Sequence, residues 1–176
     1  MRHAHSIPPS RLPPHPSFRM FPALRPILNK GGAGRYISRE ESVQRLIPIA
    51  ERQLRLLRTY DATRASIADA GIRAQVDAMM ANLRTEMAKI SETILSLGGA
   101  TPTGAGMGAL TPDANDSDRA RIQSLLDTER DFSAALREET DAVHHQERSR
   151  AILGFNIEVS DKRTERLREI AADLSR

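Results

Sequence analysis

The chain of 176 residues contains no cysteine and no tryptophan, and its aromatic residues are only four phenylalanines and two tyrosines. The absence of cysteine excludes a disulfide framework, a thiol nucleophile and a thiolate metal site. With so few aromatic rings, the stacking platforms that hold single-stranded nucleic acid are not expected. No apolar run approaches the roughly 18 residues that a membrane-spanning helix needs, so we expect no transmembrane segment.

Acidic residues are missing from the first 38 positions, which carry six basic ones. Since the whole chain has 26 basic and 23 acidic residues, the remainder carries 20 and 23. The formal net charge of +3 therefore combines a +6 segment with a −3 body. Residues 1–37, hereafter the arm, also hold seven of the ten prolines. Because proline removes backbone donors and restricts φ, we expect an extended, Pro-rich arm.

The arm is not uniformly polar, because apolar side chains crowd one short stretch and alternate with arginine. Apolar anchors combined with arginine are favoured at the centres of protein interfaces. We therefore predict that the arm binds a partner, whereas the simpler alternative is a solvated basic tail. The predicted partner-binding residues are Phe18, Arg19, Met20, Phe21, Leu24, Arg25, Ile27 and Leu28.

An acid-free, arginine-bearing N-terminus is also typical of an organelle import signal. The seven prolines oppose the amphipathic helix that such a signal needs. We therefore expect a cytoplasmic protein, which could lie peripheral to a membrane complex, and keep organelle import as the lesser alternative.

From Ser38 onward, apolar residues recur every three or four positions, which is typical of amphipathic helices. Ser38 followed by Glu41 forms a capping box at the first helix start, and Ser160 is a candidate cap for the last helix. Gly71, Gly98 and Gly154 are candidate helix stops. The pattern predicts helices at about 38–70, 72–97, 117–153 and 160–175.

Two connections decide the predicted architecture. The first two helices are separated by only a residue or two, so they must be antiparallel neighbours. Residues 98–117 contain five glycines and form a connection long enough to run along a whole bundle. We expect an all-α fold over residues 38–176, a four-helix bundle of two antiparallel helical hairpins joined by a long Gly-rich crossover.

Residues 38–176 resemble the ferritin-like four-helix-bundle proteins, and among these the small bacterial proteins of unassigned function. The resemblance rests on a long helical hairpin that ends in Ser96-Leu97-Gly98-Gly99-Ala100-Thr101-Pro102, followed by the Gly-rich crossover and a second helical pair. It leaves the arm unexplained. In that family a di-metal centre would need a glutamate from each of two helices and Glu-x-x-His from each of the other two.

The chain departs from that ligand set. Outside the arm its only histidines are His144 and His145, which are adjacent on one predicted helix. The nearest match, Asp141-x-x-His144, points away from the apolar stripe of that helix. Glu86-x-x-Lys89 places a cation where an imidazole would bind. We therefore expect no metal, no cofactor and no catalytic residues.

Acidic residues nevertheless lie on or beside the apolar stripes of the predicted helices. One interpretation is a remnant carboxylate site. The other is a set of internal ion pairs in which Arg64 neutralises Asp61 or Glu86, and the cost of burying unpaired carboxylates favours it. The predicted internal polar layer consists of Asp61, Arg64, Glu86, Glu129 and Glu139.

The function we expect is that of a non-catalytic accessory or assembly subunit, docked through its arm onto a larger protein complex, which could be the soluble face of a membrane complex. A sequence-specific nucleic-acid partner is not expected, because the body is net negative and shows no basic face. Two alternatives stay open. One is a ferritin-like metal-binding or redox protein with an atypical carboxylate site, and the other is a self-associating helical bundle, a homo-oligomer.

Overall fold

The computed structural model describes residues 38–105, 107–108, 115–143 and 147–176. This part of the chain forms four helices and no strand: α1 (Arg39–Ser66), α2 (Ala70–Ser96), α3 (Asp118–Ala142) and α4 (Glu147–Asp173). The predicted all-α four-helix bundle is confirmed. The arm, residues 1–37, lies outside the described residues, so its predicted extended conformation stays a prediction.

Side-chain caps set three of the helix starts. The hydroxyl of Ser38 accepts a hydrogen bond from the backbone N–H of Glu41 at 3.0 Å, as the capping box predicts. Asp69 caps α2 in the same way, accepting from the N–H of Ile72 at 2.8 Å. Ser117 caps α3. Because Asp69 already belongs to the start of α2, α1 ends at Ser66, four residues before the predicted end.

The boundary between the last two helices differs from the prediction. We expected the third helix to continue to about Gly154 and the fourth to begin at Ser160, but α3 ends at Ala142 and α4 begins at Glu147. Both Gly154 and Ser160 lie inside α4. An isolated helical glycine costs only about 1 kcal/mol relative to alanine, and the buried neighbour Leu153 supplies packing that outweighs it.

Hydrogen bonds at the two ends of the bundle show how α1 and α3 run. Arg121, in the first turn of α3, donates to the carbonyl of Ser66 at the end of α1, with Nη1 2.9 Å from the oxygen. At the other end Arg45 of α1 lies 3.3 Å from Glu139 of α3. The two helices are therefore antiparallel, and α3 begins at the end of the bundle opposite to that where α2 finishes. The crossover must travel the length of the bundle.

The described part of the crossover lies along α1. It begins with Gly98, whose φ of +87° closes α2 in a Schellman motif. At Gly99 a β-carbon would come within 2.5 Å of Val43, near the start of α1. Further along, Arg58 of α1 donates from Nη2 to the carbonyl of Gly104 at 3.0 Å. Gly99 thus allows the crossover to approach α1 closely, whereas the sequence predicted only that the crossover is long.

All four helices pack around one core. Neighbouring pairs are α1 with α2, α1 with α3, α3 with α4 and α2 with α4. The fully buried apolar side chains include Leu46, Leu56, Val76, Leu83, Ile90, Ile94, Ile122, Leu125, Leu136, Leu153 and Leu167. None of the helices in the described ranges has the length and apolar character required to cross a membrane.

Candidate functional site

A buried arginine lies at the centre of the bundle. The guanidinium of Arg163, on α4, binds Glu129 of α3 in a fork: Nε is 3.1 Å from both carboxylate oxygens and Nη2 is 2.8 Å from Oε1. On its other side Nη1 donates to Oε1 of Glu86, on α2. Arg163 is only 2% exposed. Such a forked, water-excluded pair is among the strongest geometries that an arginine adopts.

Glu129 receives two further donors. The hydroxyl of Tyr60, on α1, donates to Oε2 at 2.8 Å, and the hydroxyl of Ser160, on α4, donates to Oε1 at 2.6 Å. Both carboxylate oxygens of Glu129 are therefore fully satisfied in the core, as a buried charge requires. Every helix contributes a side chain to this cluster, which we call the Arg163 network: Tyr60, Glu86, Glu129, Ser160 and Arg163.

The charges of the Arg163 network do not balance, because one guanidinium faces two carboxylates. Burial raises the pKa of Glu86; Arg163 opposes this effect and the charge of Glu129 adds to it. Its Oε2 is buried and has no hydrogen-bond partner among the residues that the structure describes. Protonation of Glu86 removes the excess buried charge, in keeping with the raised pKa of this carboxyl.

Arg163 and Tyr60 keep their ordinary protonation states. Burial disfavours the charge of Arg163, but the carboxylates of Glu129 and Glu86 more than offset it, so the pKa of Arg163 is raised. Burial and the neighbouring charge of Glu129 raise the pKa of Tyr60. Arg163 thus stays a cation and Tyr60 a neutral donor, and the hydrogen-bond directions in the network are settled by chemistry.

A second buried polar contact lies two helical turns away. Gln53 of α1 donates to Oδ1 of Asn156 of α4 at 2.8 Å, and Asn156 in turn donates to the carbonyl of Ile152. Gln53 precedes Tyr60 by seven residues and Asn156 precedes Arg163 by seven. Since seven residues rise about 10.5 Å along a helix, the two contacts form separate polar layers in the same core.

The five residues predicted to form an internal polar layer separate into two groups. Glu86 and Glu129 meet in the Arg163 network. Asp61 is exposed, and Arg64 is also exposed and pairs with Asp77 of α2. Glu139 pairs with Arg45 near the end of the bundle. The prediction that Arg64 neutralises Glu86 was wrong, because Arg163 holds that position. Toward Asp61 the charge of Arg64 is attractive, but its ion-pair partner is Asp77.

Sequence reasoning missed Arg163, Tyr60 and Ser160. Reading Ser160 as a helix cap placed Arg163 in the first turn of a short helix, where no core position was assigned to it. The sequence did contain a signal, because the residues on one face of α4 recur at spacings that alternate strictly between four and three along the whole helix. The buried residues with this spacing are Ser149, Leu153, Asn156, Ser160, Arg163, Leu167 and Ile170.

The part of the chain that the structure describes contains no cluster of three His, Cys, Asp or Glu side chains that lie close enough together to hold a metal ion. Asp141 is exposed, and His144 and His145 lie outside the described residues. Between Glu86 and Glu129, the guanidinium of Arg163 occupies the place where a bridging cation would bind.

The predicted partner-binding residues of the arm, from Phe18 to Leu28, lie outside the described residues. Comparisons with known proteins add no relative: no protein-family model matches the chain, and no curated protein is significantly similar to it. The resemblance to ferritin-like proteins therefore stays a prediction.

Proposed function

We propose that this protein is a non-catalytic accessory or assembly subunit, in which the helical bundle is a rigid body and the arm attaches it to a larger complex. The observation that carries the proposal is the Arg163 network. The core acids Glu86 and Glu129 are the groups best placed for chemistry, and both are already engaged by Arg163. A buried polar network that joins all four helices favours a single defined packing of the bundle.

The composition of the arm supports the attachment. Its apolar anchors and arginines have the character of an interface centre, and its +6 charge favours an acidic partner surface. The partner we propose is therefore a protein complex in the cytoplasm, which could lie at the soluble face of a membrane, with an acidic surface that binds the arm.

The ferritin-like metal-binding or redox alternative has one observation in its favour, the meeting of Glu86 and Glu129 from different helices. Arg163 counts against it, because a metal at that place would have to displace a guanidinium held by two carboxylates. Elemental analysis of the purified protein tests this alternative. Two iron or manganese ions per chain, lost in Glu129→Gln, would replace our proposal with the metal function.

The experiment for the proposed function compares full-length variants in native extract. We expect the wild-type chain to migrate with a larger assembly on size-exclusion chromatography. The arm variant Phe18→Ala, Phe21→Ala, Leu24→Ala, Ile27→Ala should migrate at the size of the free protein. A matched variant with Ser6→Ala, Ser10→Ala and His15→Ala should behave like wild type. Co-migration of the arm variant with the full assembly would overturn the proposal.

Self-association is separated from attachment by the purified protein alone. In the described ranges the exposed large hydrophobic residues are Leu95 and Phe155, and Lys89 lies 3.7 Å above the Phe155 ring. Two such residues make only a small apolar surface. Light scattering of the purified chain that gives a monomer supports attachment to another protein, whereas a stable dimer or larger oligomer would favour the self-associating bundle.

A further inference from the structure

A cavity of about 460 Å³ opens between α1, α3 and the crossover, and its lining residues include no member of the Arg163 network. Its apolar floor is formed by Leu56 of α1 and Phe132 of α3, which are both buried in the core. Its volume falls in the range that holds a small organic molecule. The lining residues are Arg52, Arg55, Leu56, Arg58, Thr59, Met107, Gly108, Thr128, Asp131 and Phe132.

Arg58 builds one wall of this cavity. Its guanidinium donates to three carbonyls of the crossover, with Nη1 2.5 Å from the oxygen of Met107 and 3.3 Å from that of Gly108, and Nη2 3.0 Å from that of Gly104. These contacts hold the crossover against α1 and define the opening. Arg58 is therefore a positioning residue, three of whose five N–H donors are taken by the crossover.

Two other arginines stand at the rim with their donors available. Arg52 and Arg55 lie one helical turn apart on α1, are exposed, and pair with no acid in the described part of the chain. Among the described residues of the lining, the one acidic side chain is that of Asp131. Three guanidiniums against one carboxylate make the rim locally positive, although the body as a whole is net negative.

We propose that this cavity binds a small organic anion, an aliphatic monocarboxylate whose chain rests on Leu56 and Phe132 and whose head group is held by Arg52 and Arg55. A guanidinium fork matches a carboxylate in shape and charge. The hydroxyls of Thr59 and Thr128 donate to carbonyls of their own helices, so they offer the ligand only acceptor positions. Arg52 and Arg55 therefore supply the charged donors for the head group.

The test titrates the full-length protein with sodium octanoate and follows amide chemical shifts by NMR. We expect saturable shifts at residues of α1 and α3 that line the cavity. Two matched probes separate the contributions: acetate keeps the head group without the chain, and 1-octanol keeps the chain without the charge. Each should bind at least about tenfold more weakly than octanoate, because each loses one half of the recognition.

Paired variants test the residues. Arg52→Gln with Arg55→Gln should weaken octanoate binding by about tenfold or more. Arg73→Gln with Arg84→Gln removes the same charge from exposed positions of α2 and should leave the affinity within about twofold, because the charges there are screened from the cavity. An absence of saturable binding, equal affinity for octanol or acetate, or equal losses in both variant pairs would each overturn the proposal. Displacement of octanoate by inorganic phosphate at equal affinity would also overturn it, since the site would then hold any anion.

Discussion

Arg163 and Glu129 form a buried ion pair in which three nitrogen–oxygen contacts of 2.8 to 3.1 Å join one guanidinium to one carboxylate. The pair connects α4 to α3, and its outer partners extend it to α1 and α2. Because each partner is removed from water, neither charge can be deleted alone without leaving the other uncompensated. The stability of the bundle should therefore depend on this network more than on any surface ion pair.

Arg163→Met should lower the free energy of unfolding by about 3–5 kcal/mol, because it leaves two buried carboxylates without a cation. Arg166→Gln, which alters an exposed pair with Glu169 on the same helix, should change it by less than about 1 kcal/mol. Urea unfolding followed by circular dichroism measures both. Equal effects of the two variants would show that the network contributes no more than a surface pair.

Removal of all three charged groups of the Arg163 network, together with the Tyr60 hydroxyl, should restore much of the stability that Arg163→Met loses. The combined variant Tyr60→Phe, Glu86→Leu, Glu129→Leu, Arg163→Met leaves no buried charge and retains an apolar layer of similar volume. We expect it to be more stable than Arg163→Met alone in the same urea experiment. A combined variant that is less stable than the single one would mean that packing rather than charge sets the cost.

The stability of the bundle should depend on pH through Glu86. Burial raises the pKa of this carboxyl above its ordinary value of 4.5. The folded protein therefore keeps the proton at pH values where the unfolded chain has already lost it. In the interval between 4.5 and the raised value the folded state binds more protons than the unfolded state, so the Glu86 contribution to stability falls as pH rises. Below 4.5 this contribution is fully present.

Glu86→Gln isolates that contribution, since glutamine resembles the protonated carboxyl at every pH. We expect the stability of Glu86→Gln relative to wild type to increase as pH rises from about 4.5, by at most about 1.4 kcal/mol per pH unit. The exposed Glu92→Gln serves as the matched control and should give a constant difference. Urea unfolding at several pH values between 4 and 8 measures both, and a difference for Glu86→Gln that decreases with pH would contradict the assignment.

Tyr60→Phe should destabilise the protein by about 1.5–3 kcal/mol, because it removes a hydrogen bond to a charged buried acceptor. The loss should shrink in a Glu129→Gln background, since the charge that strengthens this bond is then absent. A double-mutant cycle by urea unfolding measures the coupling. Strictly additive losses would mean that the Tyr60 hydroxyl is not coupled to the charge of Glu129.

Gly99→Ala should cost about 1–3 kcal/mol, because a β-carbon there would overlap the side chain of Val43 at 2.5 Å. Val43→Ala should recover part of this loss, since it removes the atoms in the way, although Ile94 remains 2.9 Å from the added carbon. Thermal unfolding of the two single variants and the double variant measures the recovery. A double variant that loses the full sum of both changes would exclude the contact as the cause.

Helix type and number follow from local patterns, and these were readable without coordinates. The capping box at Ser38 and Glu41 and the glycine pair after Leu97 are interactions within a few residues of chain, so the sequence contains both partners. The start of α4 was not readable, because Gly154 and Ser160 have the local signature of a boundary. Buried contacts of Leu153 and Asn156 with other helices decide that the chain stays helical through them.

The Arg163 network shows the same division between local and distant information. Periodicity alone placed Glu86 and Glu129, like Asp61 and Glu139, on or beside the apolar stripes, and the cost of burying such acids called for a cation in the core. Which cation it is depends on how four helices rotate and slide against one another, which no local spacing encodes. Amphipathic periodicity and capping were thus enough to predict four helices in two antiparallel pairs, with acids near the core, but not which of those acids are buried. Only tertiary packing selected Arg163 rather than Arg64 as their partner, because that choice is made between side chains 34 and 77 residues apart.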